Sequence, residues 1–209
     1  MKPPPLLDSH SARLATPFAV LGIRTAGDSL SGIDYLPRGA ATLAPLTRFA
    51  ERVCRQIERY LDDPRFRFDL PFAYRGTDFQ CRVWRAIHDI PSGRTLSYVD
   101  IARRLRTAPR PVGGACGANR IPLVIPCHRV VASGGIGGFM HSRRGPGIEI
   151  KRWLLRHEGA VILRQALRRS SGQAQDRPLR QAQDRVFRAS RSAWWCRPQW
   201  AASPTCWRA

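Results

Sequence analysis

The sequence predicts an α/β N-terminal domain, with a small antiparallel sheet and a helix, followed by a mostly α domain and a disordered tail. Two β-rich runs and one amphipathic helix precede residue 75, and helix-capping residues with helical spacing begin at residue 77. An eight-residue repeat occupies part of the remainder. We therefore expect a scaffold domain at 1–75, a functional domain at 76–160, and a basic low-complexity tail at 161–209.

The N-terminal domain is predicted to contain a β-hairpin and one helix. The runs "PFAVLGIR" (17–24) and "SLSGIDYL" (29–36) are rich in β-forming residues and are separated by the turn sequence "TAGD". Apolar residues then recur at helical spacing, which predicts a helix over 45–62: Leu46, Phe49, Val53, Ile57 and Leu61. The alternating "FRFDL" (66–70) indicates a short strand. Nothing in this domain suggests catalysis, so we expect it to act as a scaffold.

The second domain is predicted to contain three closely spaced helices. Thr77 and Gln80 have the spacing of a capping box and open the first helix. After the turn "PSGR" (91–94), Ser97 caps the second helix. Pro111 suits the first position of the third.

The third helix is unusual because it contains three glycines: Gly113, Gly114 and Gly117. Each glycine costs about 1 kcal/mol against alanine in a helix interior. One explanation is tight packing against a neighbouring helix. The other is close approach to DNA, by a helix that carries few side chains for reading base edges and is preceded by Arg110. The composition leaves both explanations open.

The charge favours a nucleic-acid partner. The chain has a formal net charge of +20 and a pI near 11.4. Residues 76–159 carry +9 of this charge, and all but one of their basic residues are arginines, whose planar guanidinium can donate two hydrogen bonds to one phosphate.

Several classes of protein are disfavoured. No apolar run approaches the roughly 20 residues of a membrane span, and the N-terminus lacks the apolar core of a signal peptide. We therefore expect a cytoplasmic protein with no membrane partner. The six cysteines form no C-x-x-C pair, so the sequence predicts neither a zinc site nor a disulfide framework.

The most informative stretch is "NRIPLVIPCHRVVASGGIGGF" (119–139), in which Cys127 and His128 are adjacent. A catalytic cysteine needs a thiolate, and a histidine oriented by a carboxylate can take its proton. Adjacent side chains on a regular strand point to opposite faces, so the pair cooperates only if the chain turns or a water bridges them. Pro126 makes a turn at 126–127 plausible. Taken alone, the cysteine could equally be a small buried hydrophobe.

A family resemblance lies in the segment "GGACGANRIPLVIPCHRV", in "FQCRVWRAIHDIPSGRTLSYVDIARRL" before it and in "IKRWLLRHEG" after it. In these segments the chain closely resembles the O6-alkylguanine-DNA alkyltransferases, or methylated-DNA–protein-cysteine methyltransferases. The resemblance covers residues 77–159. It implies a winged-helix-like helix-turn-helix that binds duplex DNA in the minor groove and flips the damaged base out of the stack. It also implies irreversible, stoichiometric alkyl transfer by a monomer without cofactor or metal. The expected partner is double-stranded DNA containing O6-alkylguanine, with O4-alkylthymine as a further candidate.

The resemblance also assigns roles to residues of this chain. Cys127 is the alkyl acceptor, His128 draws off its proton through a water, and Glu158 orients that histidine. Tyr98 donates a proton towards the guanine ring nitrogen, and Asn119 ties the recognition helix to the active-site turn.

Arg110 fills the gap left in the base stack. The other residues assigned to DNA contact are Gly113, Gly114, Ala115 and Arg129, and those assigned to the alkyl pocket are Pro126, Val130 and Phe139.

Two features depart from the family pattern. Proline follows Arg110, and the loop 139–151 is several residues longer than in the shortest relatives and carries Arg143 and Arg144. This loop borders the expected pocket, so the preferred alkyl group stays open.

Two other functions remain as alternatives. A non-catalytic damage sensor of the alkyltransferase-like kind lacks the acceptor cysteine, so Cys127 argues against it. A thiol hydrolase explains neither the glycine-rich helix nor Arg110. The repeated "QAQDRPLRQAQDRVFR" (173–188) is either a basic arm on DNA or an extension without selected structure.

Overall fold

The structure is a computed structural model that describes residues 10–72 and 76–160. Both ranges belong to one compact unit, Met1–Ile162. The tail expected at 161–209 lies outside the described residues, and its predicted disorder stays a prediction. No helix in the described ranges is long and apolar enough to cross a membrane.

A three-stranded antiparallel sheet opens the fold, in the order β1 (Ala12–Ala15), β2 (Val20–Ala26) and β3 (Ser29–Leu36). The hairpin predicted between β2 and β3 is confirmed, and Gly27, with φ of +57°, lies in its turn. Strand β1 was not predicted, because its four residues "ARLA" are too short to show an alternating pattern.

Helix α1 (Arg48–Asp62) packs on this sheet. It begins three residues later than predicted, because the side chain of Thr47 caps it by accepting from the Ala50 amide. Leu46 therefore lies outside the helix and is 66% exposed, so its predicted place on the buried face was wrong.

The strand predicted at 66–70 is also wrong. Here the chain runs beside α1, and Gln56 takes both backbone groups of Asp69: its Nε2 donates to the carbonyl and its Oε1 accepts from the amide, each at 2.9 Å. At Asp69, the backbone polar groups that a strand would offer to a sheet are thus satisfied by a side chain.

Four helices follow: α2 (Asp78–His88), α3 (Tyr98–Leu105), α4 (Pro109–Gly117) and α5 (Pro146–His157). The predicted capping box of Thr77 and Gln80 is present, and Ser97 caps α3 as predicted. A two-residue parallel pair, β4 (Leu96–Ser97) with β5 (Val130–Val131), joins the start of α3 to the segment after Cys127.

Helix α4 starts at Pro109 rather than at Pro111. Pro111 still lies in the first turn, where the backbone amides have no partner inside the helix, so it costs no hydrogen bond. Val112 and Ala115 are buried, and the Trp84 indole of α2 donates to the Ala115 carbonyl at 2.8 Å. This bond fixes α4 against α2.

Candidate active site

The chain turns at Cys127, as the proline before it predicted. Pro126 has φ of −79° and ψ of 64°, and Cys127–Arg129 form a single 3₁₀ turn. Asn119, just after α4, holds the incoming loop: its Nδ2 donates to the Ile125 carbonyl at 2.8 Å and its Oδ1 accepts from the Ile121 amide at 3.1 Å. The asparagine therefore connects the end of α4 to the segment that carries the thiol.

His128 is bound to Glu158 in the interior. Its Nε2 lies 2.9 Å from Glu158 Oε1, and the two side chains are 1% and 0% exposed. Glu158 reaches this position because α5 ends at His157 and Gly159, with φ of +66°, terminates the helix.

Among the described residues, three donate to the Glu158 carboxylate. Besides His128, the Arg129 guanidinium donates to both of its oxygens at 2.8–3.2 Å. Tyr60, from α1, donates its hydroxyl to Oε1 at 2.9 Å. Burial raises the pKa of Glu158, but the hydrogen bonds from His128 and Arg129 and the charge of Arg129 outweigh it and lower the pKa to about 2. The carboxylate is therefore ionised at neutral pH.

An ionised carboxylate determines how the histidine is protonated. Because Glu158 can only accept, His128 Nε2 carries the hydrogen and Nδ1 is left as an acceptor in the neutral ring. Nδ1 is buried and has no hydrogen-bond partner among the described residues. Burial lowers the pKa of His128 despite the neighbouring carboxylate. The ring is thus neutral and able to receive a proton.

The Cys127 thiol requires such an acceptor. Burial raises its pKa, and the Asn119 amide and the Lys151 charge offset this only in part. The cysteine therefore rests as a thiol at neutral pH and must lose its proton to become a strong nucleophile.

Sequence reasoning missed Lys151, which is fully buried. Its Nζ donates to the carbonyls of Val130 and Gly138 at 2.6 and 2.9 Å. Burial lowers its pKa to about 8, while the nearby cysteines oppose that shift. A signal was available, since Lys151 shares the apolar stripe of α5 with Ile148 and Leu154.

A cavity of about 420 Å³ opens in front of Cys127. Of the expected site residues, those that line it are Tyr98, Arg110, Gly113, Cys127 and Phe139. Burial raises the pKa of Tyr98, so its hydroxyl stays protonated and donates to the Gly138 carbonyl at 3.2 Å. The cavity thus presents a thiol and a phenolic donor to whatever enters it.

Four expected contacts are not supported by the structure. Pro126 and Val130 are buried and are not among the described residues that line the cavity. Ala115 is 3% exposed, and the Arg129 side chain is 11% exposed with its guanidinium committed to Glu158 and the Ile90 carbonyl. None of these four residues is among the described residues that line the cavity.

The glycines of α4 differ in their surroundings. Among the described residues, a Cβ on Gly114 would meet nothing within 4 Å, and one on Gly113 would meet only the Tyr98 ring, at 4.0 Å. Tight packing against a neighbouring helix therefore does not explain these two glycines. Gly117 differs, because the His141 ring lies where its Cβ would be.

The long loop forms one wall of the cavity. Phe139 and Ser142 exchange backbone hydrogen bonds at 2.8 and 2.9 Å, around Met140 and His141 with φ of +50° and +58°. Two positive φ values between paired residues are typical of a type I′ turn, which normally prefers asparagine and glycine. This unfavourable turn places His141 and Arg143 at the cavity.

In the described ranges, no group of three histidine, cysteine or acidic residues is arranged to hold a metal ion.

Comparison with known proteins identifies a family. Residues 78–160 match the profile of the 6-O-methylguanine DNA methyltransferase DNA binding domain. A methylated-DNA–protein-cysteine methyltransferase of Metallosphaera sedula is 32% identical over 148 residues, which are 70% of this chain and 91% of that protein. The inducible enzyme of that name from Bacillus subtilis is 44% identical over 102 residues, 48% of this chain and 55% of its own.

Solved structures agree with this result. The Mycobacterium tuberculosis O6-methylguanine methyltransferase has a TM-score of 0.61 at 34% identity, over 72% of this chain and 92% of its own. M. tuberculosis OGT in complex with DNA has a TM-score of 0.60 at 37% identity, over 70% of this chain and 91% of its own.

Proposed function

Because the chain belongs to the methylated-DNA–protein-cysteine methyltransferase family, we propose that it repairs duplex DNA by moving the alkyl group of O6-alkylguanine, mainly methyl, onto Cys127. The observation that carries this proposal is the placement of the Cys127 thiol at the cavity, next in sequence to the buried His128–Glu158 pair. The protein is an S-methyltransferase that acts once, because the C–S bond of the S-alkylcysteine product is stable and the free thiol is not regenerated.

The chemistry is a displacement at carbon. The thiol proton passes through a water to His128 Nδ1, and the Cys127 sulfur attacks the alkyl carbon. The C–O bond breaks and its electron pair remains on guanine O6. Glu158 stabilises the imidazolium that forms, and the nearby charge of Lys151 favours the thiolate.

Tyr98 neutralises the negative charge that develops on the leaving guanine. Its hydroxyl lines the same cavity and is kept protonated by burial. Donation from this hydroxyl to a ring nitrogen makes guanine a better leaving group. The bond that the hydroxyl now makes to the Gly138 carbonyl would be exchanged for one to the base.

DNA approaches through α3 and α4, which we interpret as the helix-turn-helix of a winged-helix-like unit. The open surface at Gly113 and Gly114 lets the backbone of α4 come close to a minor groove about 6 Å wide. Arg110, exposed beside the cavity mouth, suits the gap left by a flipped base. Binding of this kind depends on contacts with phosphates and on the shape of the groove rather than on base edges. It therefore suits a protein that must inspect DNA of any sequence.

The alternative of a non-catalytic damage sensor is not favoured, because the acceptor cysteine is present. The division at residues 75/76 and 160/161, the monomeric state and the cytoplasmic location stay predictions.

The test is a single-turnover assay with duplex DNA carrying radiolabelled O6-methylguanine. We expect one methyl group per protein molecule, with no further turnover when DNA is in excess. Cys127→Ser should retain DNA binding and transfer nothing, because a hydroxyl is a far weaker nucleophile at neutral pH. Repeated turnover by the wild type would contradict the proposal.

A further inference from the structure

We propose that Tyr60, on α1, is a positioning residue for the reaction, because its buried hydroxyl holds the Glu158 oxygen that binds His128. This inference rests on the function proposed above. It gives the N-terminal part, which the sequence suggested is only a scaffold, a direct share in the chemistry.

Tyr60 is fixed from several sides. The residue is 1% exposed, and its hydroxyl donates to Glu158 Oε1 at 2.9 Å. Its ring packs between the rings of Phe68 and His157, with centroids 5.6 and 5.3 Å away. Its backbone carbonyl lies 2.9 Å from His157 Nε2, next to Glu158 in sequence. The phenol therefore cannot move without moving the end of α5.

The shared oxygen gives this contact its significance. Oε1 accepts from Tyr60, from His128 Nε2 and from Arg129, whereas Oε2 accepts from Arg129 alone among the described residues. Arg129 donates to both oxygens, so it fixes the plane of the carboxylate but would allow either oxygen to accept from His128. The hydroxyl selects Oε1 and thereby aims it at the histidine.

The Tyr60 hydroxyl also limits the basicity of His128. A donor on Oε1 disperses the negative charge that would otherwise act on the imidazole, so it limits how strongly Glu158 favours imidazolium. The other charged or titratable groups described around the pair are Arg129 on the 3₁₀ turn, Lys151 and His157 on α5, and Cys127. Removing only the Tyr60 hydroxyl leaves all four in place.

Replacing Tyr60 with phenylalanine should therefore change both the rate and its pH dependence. The freed Oε1 attracts imidazolium more strongly, so the pKa of His128 rises. The histidine must be neutral to accept the thiol proton, so the acid limb of the transfer rate moves to higher pH. With the carboxylate less well aimed, we expect transfer at neutral pH to slow about tenfold, which is a fraction of the roughly 100- to 10,000-fold that a positioned base contributes.

The experiment measures single-turnover methyl transfer from pH 5 to 9 in the full chain. The matched control is Phe68→Leu, which disturbs the same ring cluster and leaves the hydrogen bond intact, so its acid limb should stay where the wild type has it. In a Glu158→Gln background, the Tyr60→Phe change should have no further effect, because the hydroxyl acts through that carboxylate.

The outcomes separate this inference from the proposed function. Absence of transfer by the wild type would refute the function itself. Wild-type transfer together with an unchanged rate and acid limb in Tyr60→Phe would refute only the role of Tyr60, as would equal shifts in Tyr60→Phe and Phe68→Leu.

A measurement on the unmodified protein guards against a variant that fails to fold. In ¹⁵N and ¹H NMR spectra, we expect His128 to carry its hydrogen on Nε2 and the Tyr60 hydroxyl proton to exchange slowly with water. A hydroxyl proton in rapid exchange would count against the buried bond.

Discussion

Replacing Gly114 with alanine should stabilise the protein, although glycines in helices are often kept for packing. A Cβ at this position meets no atom of residues 10–72 or 76–160 within 4 Å, so the substitution introduces no clash with them. Alanine is favoured over glycine inside a helix by about 1 kcal/mol. For a chain of this size, such a gain corresponds to a rise in melting temperature of about 2–4 °C.

The same position should tolerate no large side chain when DNA is the substrate. In Gly114→Leu, the Cβ meets no described residue within 4 Å and the position is exposed, so the added side chain extends from the helix surface that would meet a groove about 6 Å wide. We expect duplex binding to weaken at least about tenfold, while reaction with free O6-benzylguanine, which requires no groove, stays near the wild-type rate.

The assays are thermal unfolding, duplex titration and reaction with the free base. Gly137→Ala is the matched stability control, because Gly137 has φ of +72° and its Cβ would lie 2.9 Å from the Ala132 amide nitrogen. That variant should be destabilised. If Gly114→Ala lowered the melting temperature as well, the helix would need its glycine for packing and the reasoning would be refuted. Unchanged duplex binding by Gly114→Leu would show that this face does not meet DNA.

Two further predictions concern the interaction with DNA. Arg110→Ala should slow repair of duplex DNA more than reaction with free O6-benzylguanine, because a free base needs no flipping; equal losses in the two rate constants would place Arg110 in the chemistry or the fold. Binding to undamaged duplexes should be nearly independent of sequence and should weaken steeply with salt, since log K falls by about 0.9 per log unit of salt for each phosphate contact. Titrations at several salt concentrations measure that slope, and a strong preference among undamaged sequences would favour a major-groove regulator instead.

Local signals in the sequence predicted much of the fold. The capping box of Thr77 and Gln80 and the cap at Ser97 placed two helices, because capping depends on residues a few positions apart. The β2–β3 hairpin was found for the same reason. The segment 66–70 was misread because its backbone partner, Gln56, lies on a different element. No alternation within "FRFDL" could reveal that.

In the active site, too, residues that are close in sequence were predicted and contacts between distant segments were missed. Cys127 and His128 were found because they are adjacent, and Glu158 because its motif resembles a known family. Tyr60 was missed because its hydroxyl meets Glu158 across 98 positions of sequence. Arg129 was assigned to DNA contact through the family resemblance, and nothing in the sequence indicated that its guanidinium binds the buried Glu158 carboxylate.

The central claim is that one thiol, Cys127, accepts the alkyl group. The most direct test is peptide mapping by mass spectrometry after reaction of the full chain with duplex DNA containing O6-methylguanine. Cys116 lines the same cavity and is an internal comparison, because burial raises the pKa of its thiol as it does that of Cys127, whereas only Cys127 is next in sequence to the His128–Glu158 pair. We expect one methyl group per protein, all of it on the peptide that contains Cys127. Methylation of Cys116 instead, or spread over several cysteines, would contradict the account.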